Sequence, residues 1–174
     1  TGVGTYNQNG GEVRGGFAFF GGFGIGTWNQ SGGLFRQNFG DIEIGNGGGV
    51  GSEEEPGPRE GYFNLTGGVV QGSGHFAIGN RYGTGSAVIS GGALTSKGDI
   101  FVGRGYQFDG YPPGFGGPTS LRVTGDDAII IADGNFTIAT PGTVLGEAEV
   151  WMGAEKTVPL TVESDLLVTL PRSE

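Results

Sequence analysis

The chain has 174 residues, of which 41 are Gly and none is Cys, and its 18 acids and 9 bases give a formal charge of −9. Gly is irregularly spaced and Pro numbers only 8, which excludes a collagen triple helix, while 35% hydrophobic against 16% charged residues supply the apolar material that a disordered chain lacks. The acidity makes nucleic acid and anionic membranes poor partners, no apolar run approaches the roughly 20 residues of a membrane helix, and disulfide and thiolate chemistry are absent.

The first element in the chain is a phrase that returns. "GTYNQNGG" begins at Gly4, "GTWNQSGG" at Gly26 and "GYFNLTGG" at Gly61. The double glycine recurs at residues 10, 32, 67 and 91, with a degenerate copy, Gly125-Asp126, and the steps are 22, 35, 24 and 34 residues. A unit of this length, carrying about 11 extra residues at every second step, has the period of a solenoid coil.

Each double glycine is preceded by a strand, predicted over 5–9, 27–31, 62–66, 86–90 and 120–124. Alternate residues of a strand share a face. One face collects Tyr6, Trp28, Phe63, Ala87 and Leu121 and, two residues on, Gln8, Gln30, Leu65, Ile89 and Val123; this face is expected inward. The other collects Asn7, Asn29, Asn64, Val88 and Arg122, and its stacked Asn side chains are expected to form a hydrogen-bonded ladder. After each corner comes a second apolar spot, at Val13, Phe35, Val70, Leu94 and Ala128. A third strand then closes the unit, with Phe17/Phe19, Ile42/Ile44, Phe76/Ile78, Ile100/Val102 and Phe136/Ile138 as its inward pairs. Strict alternation repeated this often is a strand signal, and no window carries a helical period. The expected fold is therefore all-β: a parallel, right-handed β-helix or solenoid of about five rungs over residues 1–142, with a strand-rich segment at 143–174.

The quoted phrases, followed by "FAIG" or "IFVG", resemble the Gly-rich repeats of large bacterial surface and secreted proteins, such as autotransporter passengers and proteins with C-terminal sorting tags. The resemblance covers about residues 1 to 142. It implies a β-helix scaffold displayed outside the cell and implies no enzyme activity.

Two insertions, at 46–60 and 104–119, leave the coil at the same corner. The first is acidic, with Glu53, Glu54, Glu55 and Glu60 against Arg59; the second is aromatic and Pro-rich, with Tyr106, Phe108, Tyr111 and Phe115. Aromatic clusters at a surface mark contacts, here with another subunit or a glycan. Residues 143–174 hold only two Gly and carry two apolar runs, "TVPLTV" and "DLLVTL". Val158, Leu160, Val162, Leu166, Val168 and Leu170 there either cap the last rung or pair with a neighbouring subunit. At the other end Tyr6 belongs to a rung that begins almost directly at Thr1; this rung is expected to be open, and an open rung invites stacking.

Catalytic groupings are sparse. His75 is the single His and is expected at the surface, Lys97 and Lys156 are the only Lys, and Asp41 and Asp99 align two rungs apart, too far for a glycosidase pair. "SEEE" at 52–55, "GDD" at 125–127 and "ADG" at 132–134 offer oxygen ligands for a structural Ca²⁺, without the calcium β-roll motif, and no other cofactor is expected. Asn29, Asn64 and Asn135 head N-glycosylation sequons. The favoured expectation is a structural extracellular subunit that joins copies of itself head to tail into a filament. The alternative is an adhesin or glycan-binding passenger fragment, and the third is a polysaccharide lyase.

Overall fold

The computed structural model of this protein describes residues 2–46, 59–80, 83–104, 119–124, 127–134, 136–138, 147–152, 157–161 and 168–170. In chain order the first repeat contributes β1 (Gly2–Gln8), β2 (Glu12–Gly15) and β3 (Ala18–Phe20), and the second β4 (Gly24–Gln30), β5 (Leu34–Gln37) and β6 (Ile42–Asn46). The third contributes β7 (Glu60–Leu65), β8 (Val69–Gly72) and β9 (Phe76–Asn80), and the fourth β10 (Thr84–Ile89), β11 (Gly92–Ser96) and β12 (Ile100–Arg104). The fifth contributes β13 (Thr119–Val123), β14 (Ala128–Ala132) and β15 (Phe136–Ile138). β16 (Glu147–Met152), β17 (Thr157–Thr161) and β18 (Val168–Leu170) follow, and the described residues contain no helix.

Each repeat places one strand in each of three sheets. The first sheet has the order β1-β4-β7-β10-β13-β16-β17, the second β2-β5-β8-β11-β14 and the third β3-β6-β9-β12-β15-β18. Every pairing between repeats is parallel, an arrangement compatible with a β-solenoid. The register of the first sheet is the one read from the repeats: Tyr6, Trp28, Phe63, Ala87 and Leu121 stand in one column. The core they build is apolar, with Trp28, Phe63, Leu65, Ile42, Ile44, Phe76 and Ile78 fully buried. Across it Trp28 stacks on Phe20 at 4.9 Å and touches Phe35 and Phe63 at 4.7 Å. Burying such side chains from water is the main favourable contribution, about 1.5–3 kcal/mol each.

The corners explain the paired glycines. Gly11, Gly33, Gly68 and Gly92 have φ of 70°, 77°, 81° and 79°, a left-handed conformation that L side chains rarely adopt. At Gly33 the stacking adds a second reason, because a Cβ there would stand 2.6 Å from the carbonyl carbon of Gly10 in the coil before. On the outer face Asn29 Nδ2 donates to Asn7 Oδ1 at 2.9 Å and Asn64 Nδ2 to Asn29 Oδ1 at 2.8 Å, which is the expected ladder.

Two expectations are corrected. In "FAFF" the inward pair is Ala18 and Phe20, registered on Ile42 and Ile44, while Phe17 and Phe19 are 57% and 52% exposed. With a period of two, a one-residue slip reverses every side chain, and "FAFF" is apolar in either phase. The phase is decided by Phe20, which stacks on Trp28 and touches Tyr6 at 6.3 Å. In the fifth repeat Ile130, not Ala128, continues the column of Leu94, because Ala128 registers on Gly92. The degenerate corner there is two residues longer, and a two-residue slip preserves the face, so Ala128 still packs against the core.

Candidate functional site

The two ends of the stack differ in chemistry. At the first repeat β1, β2 and β3 are the terminal strands of their sheets, and no described strand pairs with their outer edges. The core is open there: Tyr6, Ala18 and Phe20 are half-buried and Val13 is 36% exposed. Burial pushes the Tyr6 phenol above its ordinary pKa, and its hydroxyl donates to Gln8 Oε1 at 3.0 Å. Gln8 in turn spans to the next repeat, its Nε2 donating to the Leu34 carbonyl at 3.0 Å; Gln30 does the same to Val69. These two buried amides fasten the corner of one coil to the next, which is why Gln is tolerated on an inward face.

Beside the open end lies a cleft of about 440 Å³, lined by Tyr6, Phe19, Phe20 and Phe23 over a floor of Gly backbone from Gly2 to Gly4 and Gly21 to Gly26. Around it Val3, Phe17, Phe23 and Phe39 are exposed, and Phe17 stacks on Phe19 at 5.8 Å and meets Phe39 edge-on at 6.0 Å. This patch is hidden in the sequence because alternation in "FAFF" is equally consistent with Phe17 and Phe19 facing inward. The available signal was density: six of the twelve Phe fall before residue 40.

At the other end the first sheet finishes in β16, paired in parallel with β13, and then β17, paired antiparallel with β16. The third sheet finishes in β18, antiparallel to β15. Val158 and Leu160 register on Val150 and Ala148, and Val168 and Leu170 on Ile138 and Phe136 of the same chain. The second sheet finishes in β14, whose outward Ile129 and Ile131 are 51% and 44% exposed.

Other candidate residues divide by position. Val162, Leu166, Tyr106, Phe108, Tyr111, Phe115, Asn135 and Glu53 to Glu55 lie outside the described residues. Asn29 and Asn64 use as ladder donors the same Nδ2 atoms to which an N-linked glycan would attach. His75 is half-buried and sits between Asp41 and Asp99 in one vertical column. The His75 N–H donates to Asp41 Oδ1 at 2.8 Å, and the Asp99 N–H donates to His75 Nδ1 at 2.9 Å. Each side chain thus caps the backbone of the next repeat, and the Nδ1 lone pair is occupied by that bond. Among the described residues no three His, Asp or Glu side chains converge as a metal site. Glu43, in register with the exposed Phe19, is 6% exposed and accepts from Asn46 Nδ2, a buried polar contact that alternation alone could not reveal.

A family model described as the C-terminal domain of penicillin-binding protein 5 matches residues 134–174. The match takes in β15 to β18 and none of the four repeats before them. No curated protein and no solved structure matches the chain.

Proposed function

We propose that the chain is a right-handed β-solenoid of about five rungs and serves as a structural, extracellular subunit that joins copies of itself head to tail into a filament. The observation that carries this reading is the first repeat, where three strand edges that no described strand pairs surround an open apolar core end. A row of unpaired N–H and C=O groups beside apolar side chains is a template for another strand, and a second copy of the chain offers strands of matching spacing. Charge favours the same polarity. Residues 1–40 carry one acid and two bases, a net of +1, whereas residues 125–174 carry nine acids and two bases, a net of −7. Opposite ends attract, which raises the encounter rate of head with tail over head with head. In this reading residues 143–174 close the first and third sheets of their own coil.

Electron microscopy and light scattering of the purified chain test it. Rods of uniform width that lengthen with concentration are expected, and a monodisperse monomer at millimolar concentration overturns the reading. The passenger-fragment alternative draws support from the aromatic cleft, which has the size of a small-ligand site. It predicts glycan-array binding that is lost in Phe19→Ala and Phe23→Ala.

A further inference from the structure

Resting on the head-to-tail reading, we infer that the joint between copies is a seam in the second sheet, with β14 of one copy pairing in parallel with β2 of the next. Three independent features converge on it.

The first is topology. At the tail end the first and third sheets terminate in β17 and β18, which run antiparallel to the strands they cover. Among the described strands only the second sheet ends in parallel strands at both extremes, β2 and β14. It alone can run through a joint without reversing direction.

The second is the direction of the backbone groups. The Leu34 N–H donates to the Gly11 carbonyl and the Asn38 N–H to the Gly15 carbonyl, each at 2.8 Å. In a parallel pair the bonding residues alternate, so Val13 also faces β5, while Glu12 and Arg14 turn their N–H and C=O to the open edge. The Asp133 N–H donates to the Ser96 carbonyl at 2.8 Å, which puts Ile129 and Ile131 against β11 and leaves Ala128, Ile130 and Ala132 turned outward. The two edges therefore present complementary rows of donors and acceptors.

The third is side-chain continuity. Val13, Phe35, Val70, Leu94 and Ile130 form one inward column. Its inner members are buried, whereas Ile130 is half-buried and Val13 is 36% exposed. Setting Val13 of the next copy on Ile130 extends the column by one ordinary step of about 4.8 Å. The same step lays the apolar stems of Glu12 and Arg14 beside the exposed Ile129 and Ile131. Glu12 and Arg14 already hold each other at 2.8 Å, so they enter the joint as a neutral pair.

The test blocks one edge at a time. Arg14→Pro deletes the outward N–H of β2 and Ala132→Pro that of β14, and Pro is tolerated at such edge positions because neither N–H bonds within its own chain. Each variant alone, folded by circular dichroism, is expected to sediment as a monomer. Mixed in equal amounts they are expected to form a heterodimer and nothing longer, since the mixture holds one good tail and one good head per pair. Arg14→Gln, which keeps the N–H, is expected to assemble like the unchanged chain. Filaments from either Pro variant, or a mixture that stays monomeric with both chains folded, overturn the seam. If the unchanged chain assembles and the Pro variants do too, the seam falls and the filament reading stands; if the unchanged chain never assembles, both fall.

Discussion

The first and second repeats hold the same kinds of residue in the same register and end in different surroundings. Trp28, Phe35, Ile42 and Ile44 of the second repeat are 0–6% exposed, whereas their partners Tyr6, Val13, Ala18 and Phe20 in the first are half-buried or exposed. The difference lies in the presence of a neighbour on both sides. A single coil of this kind cannot bury its own interior, so the core is a property of adjacent coils together.

Removing a core side chain tests this contrast most strongly. Trp28→Ala should lower the unfolding free energy by about 3–5 kcal/mol, and Tyr6→Ala by less than half of that, in urea titrations of the monomer. Equal costs would mean that the first repeat is covered in solution. The corner glycines come next. Gly11→Ala meets nothing within 4 Å and should cost only the left-handed strain of about 1–2 kcal/mol, whereas Gly33→Ala, with Gly10 beneath it, should cost more than that. The ladder gives a smaller effect: Asn29→Ala breaks a donated and an accepted bond and should cost about 1 kcal/mol, Asn7→Ala only one and about half as much.

Titration gives the smallest effects and opposite signs at two surface positions. The hydrogen bond from Arg14 holds the Glu12 carboxyl below its usual pKa, so its contribution is present at neutral pH and is lost as pH falls through the carboxylate range; salt should erase it. Tyr62 donates to Glu60 Oε2 at 2.8 Å, and that bond raises its phenol pKa, so the contribution is present below the ordinary tyrosine value and is lost as pH rises beyond it. A tyrosinate absorbance titration should show one midpoint moving down in Glu60→Gln; an unmoved curve would remove Glu60 as the cause.

Much of this arrangement is legible in the chain itself. The Tyr6-to-Leu121 column, the Asn ladder and the corner positions follow from alternation and the recurring double glycine, both of which act within a few residues. What escaped reading depended on partners brought from other repeats. The phase of "FAFF" hangs on Trp28, and the placement of His75 on the Asp99 N–H 24 residues away and the Asp41 carboxylate 34 residues away. The candidate site is only half legible in the sequence: Tyr6 stands out as a residue of the first rung, but the Phe17, Phe19, Phe23 and Phe39 patch and the exposed Ile129 and Ile131 do not.

The sequence by itself determined strands of fixed period and the in-register parallel stacking of their repeats, because identical short patterns bury identical faces. Tertiary structure alone decided which edges are left open, since an edge is defined by the strand that does or does not lie beside it. Among the described strands that decision separates a tail end closed on two sheets by antiparallel strands from a first repeat whose three strands have no partner on their outer side.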